Sequence, residues 1–207
     1  MVDVSGSESF GTHEQFKRDV ITEISATLAF SAIQNNDKVG LLLFSDDIEL
    51  FIPPKKGKTH VLRIIRELLE FEPGSRRTDF RQALRYMSNV MKKKAIVFVL
   101  SDFVDEGYDN ALKIVGKKHD VTGIRVYDRY EEELPKLGMV PMKDAETGEI
   151  VLVNTNSKEV RKNYRANYLK TVDYFDNAFT KSGSGTIHTR LDDSYVKKLL
   201  SYFKRRN

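Results

Sequence analysis

Apolar and polar residues follow two periods along this chain. Residues 38–44 contain Val-Gly-Leu-Leu-Leu-Phe, and residues 95–100 read Ala-Ile-Val-Phe-Val-Leu. Unbroken apolar runs of this length mark strands buried on both faces. Elsewhere the spacing is helical. Phe16, Val20, Ile24, Leu28 and Ile33 form one stripe, preceded by Thr12 and Gln15 at capping-box spacing. Val61, Leu62, Ile65, Leu68 and Leu69 form a second stripe over 59–71. Asp46-Asp47 predicts a turn into a strand over 48–52 that Pro53-Pro54 stops, an antiparallel pairing at a sheet edge where proline is tolerated. Thr78 opens a helix over 79–91, and a further helix is expected over 108–117, followed by a strand over 120–127.

Strand and helix alternating in this way predict an α/β fold. Its central sheet is doubly wound and mostly parallel, with one antiparallel edge strand. The rhythm changes after residue 131. Residues 138–143 and 149–154 flank Asp144-Ala145-Glu146-Thr147-Gly148, the signature of a β-hairpin, so an insertion is expected at about 131–156. A long helix over 158–181, a strand over 185–190 and a helix over 193–203 complete the chain. With no repeat or linker, residues 1–207 read as one domain. Met1-Val2-Asp3-Val4 resembles the end of a buried strand whose beginning is missing, so the chain is expected to be part of a longer protein.

Composition narrows the chemistry. The 40% hydrophobic content can fill a core, and the absence of cysteine excludes disulfides, thiolate metal sites and cysteine nucleophiles. A net charge of +4 is modest. Its basic runs, Lys92-Lys93-Lys94 and Lys204-Arg205-Arg206, are too short to form a nucleic-acid face, so no nucleic-acid partner is expected. The sequence contains neither an apolar run of membrane-spanning length nor a signal peptide. A cytoplasmic location is expected, although the full-length protein could be membrane-associated.

Asp3, Ser5 and Ser7 occupy alternate positions at the end of the opening strand, where extended chain points alternate side chains the same way. Asp102 follows the strand over 95–100, and Thr78 stands at a loop–helix junction. In parallel α/β sheets ligands gather at the carboxyl ends of the strands. Two carboxylates and three hydroxyls brought to that rim make an all-oxygen set suited to a hard cation, magnesium first, then manganese or calcium. So small a set leaves room on the ion for an outside carboxylate.

Asp3-Val4-Ser5-Gly6-Ser7 resembles the D-x-S-x-S motif of von Willebrand factor A and integrin I domains, which opens their metal-ion-dependent adhesion site. Arg77-Thr78-Asp79 and Leu100-Ser101-Asp102 match the family's later threonine and aspartate in order and spacing. The resemblance implies that Ser5, Ser7 and Thr78 ligate a metal, with Asp3 and Asp102 bound directly or through water. Two departures stand out. Gly74-Ser75-Arg76-Arg77 replaces a glycine-rich approach to the threonine, and Phe103 stands where many relatives have glycine.

A wider pattern is similar to the carboxyl-terminal part of a bacterial family catalogued as domain of unknown function 58. It comprises residues 2–7 near Phe10-Gly11, Asp37-Lys38-Val39-Gly40, Arg77-Thr78-Asp79, and Glu132-Glu133-Leu134-Pro135 leading to the 144–148 turn. Members of that family are often encoded beside MoxR-type AAA+ ATPases, which implies a chaperone-like or assembly partner.

These observations lead to a non-catalytic, metal-dependent protein-binding module whose partner supplies a carboxylate to the ion. Two alternatives remain. One is a metal-dependent phosphohydrolase using an aspartate after the first strand, against which Ser5 replaces the usual second acid and no phosphate-neutralising lysine is evident at the rim. The other is a scaffold with a degenerate site, in which Ser5, Ser7 and Thr78 merely satisfy backbone groups. No catalytic residue is assigned. His60, His119 and His188 lack partners at metal-ligand spacing.

Overall fold

The computed structural model describes residues 1–6, 17–143 and 149–206. Its centre is a six-stranded sheet built from β1 (Val2–Asp3), β2 (Val39–Phe44), β3 (Ile48–Lys55), β4 (Ile96–Ser101), β5 (Asp120–Tyr127) and β8 (Gly185–Arg190). The strand order is β3-β2-β1-β4-β5-β8, and every pairing except β2–β3 is parallel. This is the doubly wound sheet with one antiparallel edge strand that the alternation predicts.

Alternate residues of each strand feed opposite cores. On one face Leu42, Phe44, Val97, Val99 and Val121 pack under α3 (Phe80–Val90), α4 (Asp109–Lys118) and α6 (Lys158–Lys181). On the other, Leu41, Leu43, Leu100, Ile124 and Val126 pack under α1 (Lys17–Gln34), α2 (Lys58–Glu70) and α7 (Tyr195–Arg206). Gly123 lets α6 come close, since a Cβ there would lie 2.6 Å from the Phe179 ring. A short helix, α5 (Arg129–Glu132), follows β5, and the hairpin of β6 (Met139–Lys143) and β7 (Ile150–Asn154) forms a separate two-stranded sheet. Residues 144–148 of its turn, and the capping box expected at Thr12–Gln15, lie outside the described residues.

Two local expectations need correction, and one short element carries no sequence signal. The Pro53-Pro54 pair does not end β3, which continues to Lys55. The strand lies at the sheet edge, where a missing N–H disrupts no ladder. Asp79, not Thr78, caps α3, accepting a hydrogen bond from the Gln82 amide at 2.9 Å. The four-residue α5 has no apolar stripe to betray it and is held by a capping box between Asp128 and Glu131.

Candidate functional site

The carboxyl end of the sheet gathers loops that are distant in sequence. Val2 pairs with Leu43 on one side and with Leu100 on the other, so Asp3 and Ser101 end side by side. The Ser101 hydroxyl donates to Asp3 Oδ2 at 2.7 Å, and the Ser5 amide donates to Asp3 Oδ1 at 2.9 Å. Asp3, Ser5, Ser101 and Asp102 are all buried. Burial first, and then the neighbouring charge of Asp102, push the Asp3 carboxyl up to about 6, while its hydrogen bonds with Ser101 and Ser5 pull the other way.

The loop carrying Thr78 is stitched to the same rim. The Gly6 amide donates to the Arg76 carbonyl at 3.0 Å, and the Asp79 amide donates to the Ser45 carbonyl at 3.0 Å. Glu49 braces the loop from β3, accepting from the Ser45 hydroxyl at 2.6 Å and the Gly74 amide at 3.1 Å. Thr78 itself is half-buried. The structure therefore brings Asp3, Ser5, Thr78 and Asp102 to one rim, while Ser7 lies outside the described residues. Arg76 and Arg77 are exposed on the connecting loop.

Asp102 is fixed from several directions. Its main-chain carbonyl accepts from Arg125 Nε at 3.1 Å, and its Oδ1 accepts from the Val104 amide at 3.3 Å. The buried Arg125 guanidinium donates to the Tyr168 hydroxyl and sits 4.8 Å from the centroids of both the Tyr127 and Tyr168 rings. Phe103 adopts φ +55°, the left-handed region that glycine enters freely. Its ring is locked among Phe80, Phe175 and Phe179, at centroid distances of 5.6, 4.4 and 5.3 Å. Aromatic packing thus holds a turn for which the resemblance expects glycine.

The principal residue that sequence reasoning missed is Lys17. Its fully buried ammonium lies 2.8 Å from Asp102 Oδ2 and 2.7 Å from Glu131 Oε1. Glu131 in turn accepts from the Asp128 amide through Oε2 at 3.0 Å. Burial raises the Glu131 carboxyl, and Lys17 opposes that shift. The expectation of a rim without lysine is overturned. No spacing signal marks Lys17, because 85 residues separate it from Asp102.

The donor chemistry fits a hard cation. Asp3 and Asp102 are adjacent buried carboxylates whose mutual repulsion a positive ion would offset, and Ser5 and Thr78 add neutral oxygens. Asp3, Ser5, Thr78 and Asp102 would hold the ion. Among the described residues there is no group of three or more His, Cys, Asp or Glu side chains arranged to hold a metal, so an ion here would need the hydroxyls as well as the carboxylates. The described histidines serve the fold, as in the Ala95 amide donating to His119 Nδ1 at 3.2 Å and His188 pairing with Asp176.

A family model described as "Protein of unknown function DUF58" matches residues 1–173, and the chain belongs to that family. It is 26% identical over 151 residues to uncharacterized proteins of Mycobacterium bovis and Mycobacterium tuberculosis. Those alignments cover 72% of this chain and 48% of each relative, so the chain spans about half the length of the curated relatives it matches. Among solved structures, it is similar in fold to the conserved hypothetical protein BatB of Bacteroides thetaiotaomicron, with TM-score 0.61, 16% identity, and coverage of 96% of this chain and 91% of that one. An aerotolerance-related membrane protein of Bacteroides fragilis gives TM-score 0.61 at 17% identity, covering 96% and 92%. No helix among the described residues is long and apolar enough to cross a membrane.

Proposed function

We propose that this chain is a von Willebrand factor A-type module that binds one divalent cation, magnesium before manganese or calcium, at Asp3, Ser5, Ser7, Thr78 and Asp102. The ion then captures a carboxylate from a protein partner. The observation that carries this reading is the convergence of three separate loops on one rim, with Ser101 Oγ bonded to Asp3 and the Gly6 amide bonded to the loop before Thr78. Two adjacent buried carboxylates are unfavourable by themselves, and a hard cation is the simplest ligand that offsets them. When bound, the ion supplies an electrophilic position for an acidic side chain. The protein's part is to orient its oxygens and keep the floor of the site dry.

The β6–β7 hairpin follows α5 in the chain and exposes Met139, Ile150, Val151 and Leu152. We assign this apolar surface to partner contacts flanking the ion. A MoxR-type AAA+ ATPase is the proposed partner class. The setting is cytoplasmic, with membrane tethering through other parts of the full-length protein, a reading supported by the structural neighbour described as a membrane protein.

Calorimetric titration with MnCl2 and MgCl2 tests the reading. Binding heat and a rise in Tm are expected for the wild type, both weakened in Thr78→Val and lost in Asp102→Asn. Silence in the wild type at millimolar metal leaves the degenerate scaffold as the better description.

Lys17 gives specific support to a second reading, since a buried lysine beside an aspartate rim is also found where phosphoryl groups are handled. Its ammonium faces Asp102 rather than Asp3, the residue that would act as nucleophile, and this favours binding over catalysis. Magnesium-dependent hydrolysis of p-nitrophenyl phosphate, abolished in Asp3→Asn, would reverse that preference.

A further inference from the structure

We propose that Lys17 is an internal cation that occupies the place of the divalent ion at Asp102, so that ammonium and metal exclude one another there. The inference rests on the metal-binding reading above and adds a control element to it. The Lys17 side chain is 0% exposed, and its Nζ lies between Asp102 Oδ2 and Glu131 Oε1 at 2.8 and 2.7 Å. An ammonium this deeply buried is tolerated only against carboxylates. A divalent ion on the same aspartate would face that ammonium across a few ångströms of poorly screened protein, and like charges repel strongly there.

The geometry supplies a retreat. Glu131 is the second carboxylate in reach, and it belongs to α5, where its other oxygen holds the Asp128 amide. Metal entry would drive the ammonium off Asp102 and leave it on Glu131 alone. The charge at the rim is then coupled to α5 and to the chain leading into the β6–β7 hairpin. Tyr164, whose hydroxyl donates to the Tyr130 carbonyl at 3.0 Å, carries the same connection to α6.

The test is Mn2+ affinity of the whole chain by calorimetry, with circular dichroism checking the fold of each variant. Lys17→Met removes the competitor and should tighten Mn2+ binding at least about fivefold, the lower end of typical site-to-site coupling. Glu131→Gln removes the retreat and should weaken binding by a similar factor. Hydrogen exchange adds an independent readout: amides 128–133 should change protection on adding Mn2+ to the wild type but not to Lys17→Met.

A folded Lys17→Met that binds Mn2+ equally or more weakly than a binding wild type would show that the lysine only orders Asp102. The inference then falls and the metal reading stands. Should Lys17→Met fail to fold, Glu131→Gln decides alone, and unchanged affinity overturns the inference. Absence of binding in the wild type and both variants overturns the metal reading and this inference together. A wild type that stays silent while Lys17→Met binds supports the inference and overturns metal binding by the wild type, because the lysine then blocks the site outright.

Discussion

Two ion pairs at opposite ends of the same parallel sheet have nearly the same geometry and very different surroundings. At the carboxyl end, just past β4, Asp102 meets Lys17 at 2.8 Å, with side chains 5% and 0% exposed. At the amino end, where β5 begins, Asp120 meets Arg206 at 2.6 Å, with side chains 34% and 41% exposed. Separation alone would rank them equal. Water decides otherwise, because an exposed pair exchanges one set of favourable contacts for another, whereas each buried charge depends on its partner. The amino end is therefore built to tolerate change. The carboxyl end carries an electrostatic tension that a ligand can exploit.

The largest expected effect breaks the buried pair. Asp102→Ala leaves the Lys17 ammonium with Glu131 but without its more deeply buried anchor, and should cost about 3–5 kcal/mol, the usual penalty for orphaning one buried partner. Urea denaturation of the metal-free protein measures it. Adding Lys17→Met to Asp102→Ala should recover most of the loss, since no buried ammonium is then left unmatched. A cost below about 1 kcal/mol, the range of exposed pairs, would erase the contrast between the two ends.

The two ends were also unequally legible in the sequence. Apolar runs identify β2 and β4 because a strand covered on both faces needs apolar residues at every position. Asp3, Ser5, Thr78 and Asp102 are readable because each sits at a strand end or loop junction, and chain order with parallel topology brings such positions to one rim. Lys17 is unreadable for the opposite reason. It lies in α1, where a lysine normally reaches solvent, and only tertiary packing turns it toward Asp102 and Glu131. Local chemistry also misleads over a residue or two. Thr78 and Asp79 are both good helix caps, and only the folded chain gives the cap to Asp79. Phe103 looks foreign to a tight turn until its ring is seen wedged between Phe80, Phe175 and Phe179.

A second, smaller effect sharpens the contrast through pH. The Asp3 carboxyl is lifted from 3.8 to about 6, chiefly by burial and then by Asp102. The folded protein therefore holds this proton more tightly than the unfolded chain. The group's contribution to stability is complete below about pH 4 and is lost as pH rises to about 6. Asp3→Asn mimics the protonated form at every pH. Its stability relative to wild type should rise by roughly 2–3 kcal/mol between pH 4 and pH 7.5, because each tenfold difference in proton affinity between folded and unfolded chain is worth about 1.4 kcal/mol. Denaturation curves at the two pH values check this. Millimolar Mn2+ should shrink the difference at pH 7.5, because a cation would stabilise the wild-type carboxylate and not the amide.

The smallest effect belongs to the amino end and requires a double-mutant cycle, because Arg206 does more than pair with Asp120. Its guanidinium also donates to the Tyr202 hydroxyl at 2.9 Å and sits 5.4 Å from that ring's centroid, while Tyr202 shares a 2.8 Å hydrogen bond with the buried Thr122. Arg206→Ala alone therefore mixes lost packing with lost charge and should cost more than Asp120→Ala. The coupling between the two substitutions isolates the ion pair. It should lie below about 1 kcal/mol and fade further in 1 M salt, where solvent-exposed charges are screened over about 3 Å. The same cycle on Lys17 and Asp102 should give a coupling several times larger and nearly indifferent to salt. If the two cycles returned equal couplings with equal salt dependence, burial would not be what distinguishes the rim, and tension among its carboxylates would no longer support the proposed cation binding.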